Sequence, residues 1–148
     1  GDNGDHAPEF KARFTGYYRT LLAHGLDKNS SQFDAISTED AGSEAIRGLI
    51  EAGELPQAIV CASDLIAMGA LRALRQAKIK VPDDVAVVGY DNIAVSAYTT
   101  PALTTVQQNT KLAGELLVSA LLKAINNEEV DDYLMPAEVI VRQSCGSQ

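Results

Sequence analysis

Two carboxylates in this sequence stand directly after apolar runs of strand length. Asp64 follows Ala58-Ile-Val-Cys-Ala-Ser63, and Asp91 follows Val85-Ala-Val-Val-Gly-Tyr90. A carboxylate so placed can accept hydrogen bonds from a ligand, serve as an acid or base, or support a helix start through its charge. Ser63 beside Asp64, and the Ser37-Thr38 pair upstream, add hydroxyls that suit ligand contact or helix capping. Asp91 comes soon after Gly89 with no obvious helix to cap, so a purely structural role explains it less well. Arg13 flanks an apolar helical stripe. Its planar fork could meet a hydroxyl pair or a carboxylate, although a surface arginine is the plainer reading.

Signals for catalysis are poor. The sequence has no G-x-S-x-G elbow, no P-loop and no G-x-G-x-x-G, and neither His6 nor His24 lies near a strand end. No catalytic residue, metal site or cofactor is expected. Cys61 and Cys145 lack metal-ligand spacing, and Cys61 reads as a buried thiol. Sparing cysteine use fits a reducing cytoplasm. The formal net charge of -8 argues against these residues gripping a phosphate backbone or an anionic membrane. Neither a signal peptide nor a long apolar span stands in the sequence, but it opens on Gly1 rather than Met, which leaves targeting open.

The elements that must position these residues alternate. At 148 residues and 46% apolar content, one aliphatic core is expected. Phe10, Phe14, Tyr17, Tyr18, Leu21 and Leu22 form a helical stripe over 7–24, with Gly25 as its cap. A short strand over 33–36 precedes a helix capped by Ser37 or Thr38, buried through Ala45, Ile46, Leu49 and Ile50, and stopped by Gly53. A strand over 58–62 leads to a helix capped by Ser63 with the stripe Ala67, Ala70, Leu71 and Leu74. A strand over 85–88 ends at Gly89, and 90–101 reads as loop. A β segment over 103–106, a helix over 109–126 and a last strand over 139–141 follow. This is α/β, a parallel sheet sandwiched by helices. Ligands of such sheets bind outside the carboxyl ends of the strands, where Ser37, Ser63, Asp64 and Asp91 converge.

Three stretches are more specific than any single motif. They are Ala58-Ile-Val-Cys-Ala-Ser-Asp-Leu-Ile-Ala-Met-Gly-Ala-Leu71, Val81-Pro-Asp-Asp-Val-Ala-Val-Val-Gly-Tyr-Asp-Asn92 and Pro101-Ala-Leu-Thr-Thr-Val-Gln-Gln108. With Arg13-Phe-Thr-Gly-Tyr17 and Val141-Arg-Gln-Ser-Cys145, they resemble the effector-binding domain of LacI/GalR-type transcription regulators over nearly the whole sequence.

The resemblance implies a periplasmic binding protein-like I fold: the C-terminal lobe over 1–100 and 137–148, and a segment over 101–136 crossing into the N-terminal lobe. It implies that the helix-turn-helix headpiece is absent from these residues, so that DNA is met only through that headpiece. A small-molecule effector is implied, a sugar, sugar phosphate or nucleobase, with a homodimer, no membrane and a cytoplasmic location. Among site residues, Arg13 matches the arginine that contacts effector hydroxyls or carboxylates, and Asp91 the aspartate that accepts hydrogen bonds from the ligand. Ser63 stands where the lac repressor has a longer Asn, Asp64 is the aspartate beside it, and Gln108 matches a polar residue lining the cleft. The family's stacking aromatic falls near Ser37, where no aromatic stands. The helical face from Leu112 to Ile125 is left without its usual partners, which predicts exposed apolar surface there. A periplasmic sugar-binding protein of a transport system is the alternative. A small enzyme using Asp64 and Asp91 as an acid–base or metal pair is a third, more distant reading.

Overall fold

Two hydroxyl caps and two glycines organise the central layer. A computed structural model describes residues 8–27, 30–34 and 36–147. Helix α1 runs Pro8–Ala23 and α2 Glu39–Ala52. The Thr38 hydroxyl caps α2 by accepting from the Ala41 amide, and Gly53 ends it at φ +71°, a left-handed stop that suits glycine. Strand β1 is Ala58–Val60, and α3 is Asp64–Gln76 with Ser63 as its cap. Helices α2 and α3 touch at Gly42 and Gly69. A Cβ on Gly42 would overlap the Ile66 carbonyl, and one on Gly69 the Glu39 carbonyl. Absent side chains therefore set how closely the two helices approach.

Strand β2 (Ala86–Tyr90) pairs in parallel with β1 and with β3 (Thr104–Gln108). Helix α4 spans Thr110–Ile125, and β4 (Ala137–Ile140) returns antiparallel to β3. The sheet order is β1-β2-β3-β4. The sheet is therefore mixed rather than wholly parallel, because the segment after α4 brings the chain back beside β3 in the opposite sense. Phe33, Asp34 and Ile36 are not in a strand, so the expected strand at 33–36 does not form among the described residues. Ala35 lies outside them. A short 3-10 helix, Ala94–Tyr98, occupies the expected loop, and another covers Gln143–Cys145.

The core lies between α2, α3 and one face of the sheet. It contains Ile46, Leu49, Ile66, Ala70, Leu74, Val87 and Leu103. In β2, Val87 and Gly89 are buried, while Ala86, Val88 and Tyr90 on the other face are only half-buried. The sheet's far end is closed by Ser144, whose hydroxyl donates to the Val87 carbonyl at 2.6 Å and accepts from the Thr104 amide at 2.8 Å. Helix α4 stands apart, with no residue buried. Leu117, Leu121 and Ile125 are 71%, 59% and 66% exposed, which agrees with the bare apolar face expected there.

Candidate functional site

Because β1, β2 and β3 are parallel, their carboxyl ends share one edge. The β1 end leads to Ser63, the β2 end to Asp91, and β3 finishes at Gln108. Helix α1 adds Arg13 from above. The Arg13 guanidinium lies 3.8 Å from the centroid of the Tyr90 ring and 5.2 Å from that of Phe10. Such stacking favours a cation on an aromatic face and fixes its plane. One arm donates to the Ala62 carbonyl at 2.6 Å, and the other lies 3.5 Å from Asp91 Oδ1. The Gln108 amide donates to the same oxygen at 3.2 Å. The three polar heads thus meet at one carboxylate oxygen. The Asp91 side chain keeps 35% exposure, so it stays reachable.

Asp91 titrates above the usual aspartate range. Burial pushes its carboxyl up most, the Arg13 guanidinium pulls it down, Asp64 repels its charge, and the Gln108 hydrogen bond draws it down again. The balance remains upward, so desolvation outweighs the arginine.

Ser63 and Asp64 are placed differently from Asp91. Ser63 is buried; its hydroxyl oxygen accepts from Ser37 at 2.6 Å and from the Ile66 amide at 3.4 Å, which makes it a helix cap beneath the edge. Asp64 has no exposed surface. Its Oδ1 accepts from the Thr105 hydroxyl at 2.6 Å and its Oδ2 from the Ile93 amide at 2.9 Å. In place of the expected cleft-lining group, the structure shows a strut inside the edge, because both oxygens are taken by protein donors. A Cβ on Gly89 would overlap Asp64 Oδ1, so this glycine makes room for the strut rather than ending the strand.

Sequence reasoning missed Thr105, which holds this strut, and Arg142, which holds the neighbouring Asn92. Thr105 is fully buried beneath Asp64, and Arg142 reaches the Asn92 side chain at 2.6 Å. Their signal was faint: a threonine within β3 and an arginine just past β4, each far along the chain from its partner. Cys61 is buried as expected, and burial pushes its thiol up to about 12. Among the described residues no cluster of His, Cys, Asp or Glu could hold a metal, and no helix is long and apolar enough to cross a membrane. A groove of about 830 Å³ runs elsewhere, along α2, between Phe33, Ile36, Ala45 and Leu49. It holds none of the converging polar groups.

Comparison with known proteins matches this geometry to a family. Residues 1–145 match the model of the periplasmic binding protein-like domain. The sequence is 31% identical over 137 residues to the HTH-type transcriptional repressor PurR of Aliivibrio salmonicida, covering 90% of this chain and 41% of that repressor. A solved complex of the transcriptional regulator CelR with cellobiose superimposes with a TM-score of 0.78 at 34% identity, over 89% of this chain and 41% of that one. The lac repressor dimer bound to operator and an anti-inducer gives 0.83 at 26% identity, over 91% and 47%. The chain thus spans less than half the length of each of these relatives.

Proposed function

The chain belongs to the periplasmic binding protein-like domain family, and from that premise we propose that it is the effector-binding part of a LacI/GalR-type transcription regulator. The carrying observation is the convergence of Arg13, Asp91 and Gln108 on one reachable carboxylate at the carboxyl edge of the sheet. A carboxylate acceptor, a stacked guanidinium donor and an amide together read a ligand rich in hydroxyl groups. Arg13 is already balanced by Asp91, and buried Asp64 adds further negative charge beneath. That balance favours an uncharged sugar over a sugar phosphate. Neither aspartate is arranged as an acid–base pair: the carboxylate near Asp91 is Asp64, which is sealed and has both oxygens held by Thr105 and the Ile93 amide. DNA contact belongs to a helix-turn-helix headpiece outside these residues, and the working unit is a cytoplasmic homodimer. Effector controls operator binding by favouring one arrangement of two lobes, with residues 101–136 crossing between them.

The test is a thermal-shift screen of the full-length protein with uncharged mono- and disaccharides, sugar phosphates and purines. A specific ligand at a hundredfold excess over its Kd stabilises by about 2.7 kcal/mol. The expected result is a shift with a neutral sugar that Asp91→Ala abolishes without loss of fold. A full shift retained by Asp91→Ala would remove Asp91 from the site. A secretion signal upstream, in place of a helix-turn-helix, would instead point to a transport-linked binding protein.

A further inference from the structure

Two consecutive non-glycine residues at the edge take positive φ: Asp91 at 107° and Asn92 at 49°. Asn enters the left-handed well readily, but Asp91 at 107° lies outside it, and its surroundings must hold it there. Part of the hold is on the main chain. The Asp91 amide donates to the Val106 carbonyl at 2.9 Å, the Asn92 amide to Thr105 Oγ1 at 3.2 Å, and the Ile93 amide to Asp64 at 2.9 Å. The rest is a clamp on one side chain. Asn92 Nδ2 donates to Gln107 Oε1 at 2.7 Å, and its Oδ1 accepts from Arg142 Nη2 at 2.6 Å.

Arg142 comes from beyond β4, fifty residues away in sequence. Its other arm donates to the Leu103 carbonyl at 2.7 Å and to Ser96 Oγ at 3.1 Å. Its own amide donates to Thr104 Oγ1 at 2.8 Å. Among the described residues no carboxylate pairs with this guanidinium. Its charge-assisted bonds go to neutral acceptors placed around the turn that carries Asp91. The planar fork joins two points, the Asn92 amide and the start of β3, that no local interaction would hold in register.

We infer that Arg142, acting through the Asn92 side chain, is a positioning residue for Asp91: the pair holds the left-handed Asp91–Asn92 turn so that the carboxylate stays between Arg13 and Gln108. Its functional meaning rests on the reading of Asp91 as a ligand contact; the positioning itself does not.

The test reads the turn directly, without a ligand. Isotope-labelled wild-type protein is compared with Arg142→Met, Arg142→Lys, Asn92→Gly and the Arg142→Met/Asn92→Gly double variant. Carboxyl NMR follows the titration of Asp91, whose charged and polar neighbours are Arg13, Asp64 and Gln108. Amide exchange follows Asp91, Asn92 and, as a control, Val87. Asn92→Gly is the decisive variant, because glycine takes positive φ freely while losing both clamp bonds. In Arg142→Met and Asn92→Gly alike, Asp91 should titrate closer to an ordinary aspartate as the turn opens to water. Exchange at Asp91 and Asn92 should rise about tenfold while Val87 stays protected. The double variant should be no worse than either single one, and Arg142→Lys should rescue in part.

Unchanged Asp91 titration in Asn92→Gly would overturn the inference, since the backbone alone would then set the turn. Equal acceleration at Val87 would overturn it as well, by making Arg142 a general stabiliser. If Arg142→Met does not fold, Asn92→Gly and Arg142→Lys still decide. Thermal shifts with D-glucose, cellobiose and hypoxanthine separate the two readings. An altered turn in a protein that answers none of these probes supports positioning and counts against the functional reading. A probe that shifts wild type and Asn92→Gly equally overturns positioning and leaves the functional reading standing.

Discussion

Asp91 and Asp64 divide two duties that look alike on paper. Asp91 keeps a reachable oxygen, and burial raises its carboxyl above the usual range. Folding therefore takes up a proton there. The stability this contributes is fully present below the unfolded carboxylate range and is lost as pH rises through the raised folded value. Asp91→Asn removes that loss. The variant should equal or exceed the wild type in stability at pH 7, the gap closing as pH falls below about 4, while ligand response disappears. Urea unfolding across pH checks the first part. Ser43 offers a second residue-scale prediction. It is buried on α2, and its hydroxyl has no hydrogen-bond partner among the described residues. Ser43→Ala should be neutral or stabilising by up to about 1 kcal/mol in the same assay, because an unsatisfied buried hydroxyl costs more than a methyl. The sequence pointed to Asp91 because nothing local needed capping there. It could not show that Asp64 is sealed, since the sealing donor, Thr105, lies forty-one residues away.

At the scale of elements, what was legible was local. Thr38, Ser63 and Gly53 announce their helix ends by short-range chemistry, and the structure uses each of them as a cap. The direction of β4 was not legible, because antiparallel return depends on the path after α4 rather than on any residue of the strand. Nor was the meaning of Gly42 and Gly69, which show their purpose only when α2 and α3 meet. Gly69→Ala forces a methyl onto the Glu39 carbonyl and must separate the helices. The expected loss is about 3 kcal/mol, at the upper end for overpacked cores. Gly48→Ala, where a Cβ would meet nothing, should show no such cost. Matched denaturation curves for the two variants make the comparison.

For the molecule as a whole, the core is lopsided. Helix α3 packs against the sheet and α2 packs against α3, whereas α4 shows Leu117, Val118, Leu121, Leu122 and Ile125 to solvent. A contiguous apolar face of this kind drives association. Light scattering should therefore find concentration-dependent self-association of these 148 residues. A Leu117→Glu/Leu121→Glu variant should remove it with little change in unfolding midpoint, since neither residue is buried. A stable monomer at all concentrations would show that this face is covered in some other way.

The strut beneath Gly89 has a consequence for how such a site can diversify. The main chain of the turn bearing Asp91 is fastened by Asp64, Thr105, the Val106 carbonyl and the Asn92 clamp, none of which is among the residues proposed to face a ligand except Asp64, and that one is sealed. Exchanging Ser37 for an aromatic, or Gln108 for another polar residue, leaves that foundation in place. On the proposed reading, ligand preference can then be altered by substitutions on the upper layer one at a time, with the lower layer left to hold the turn.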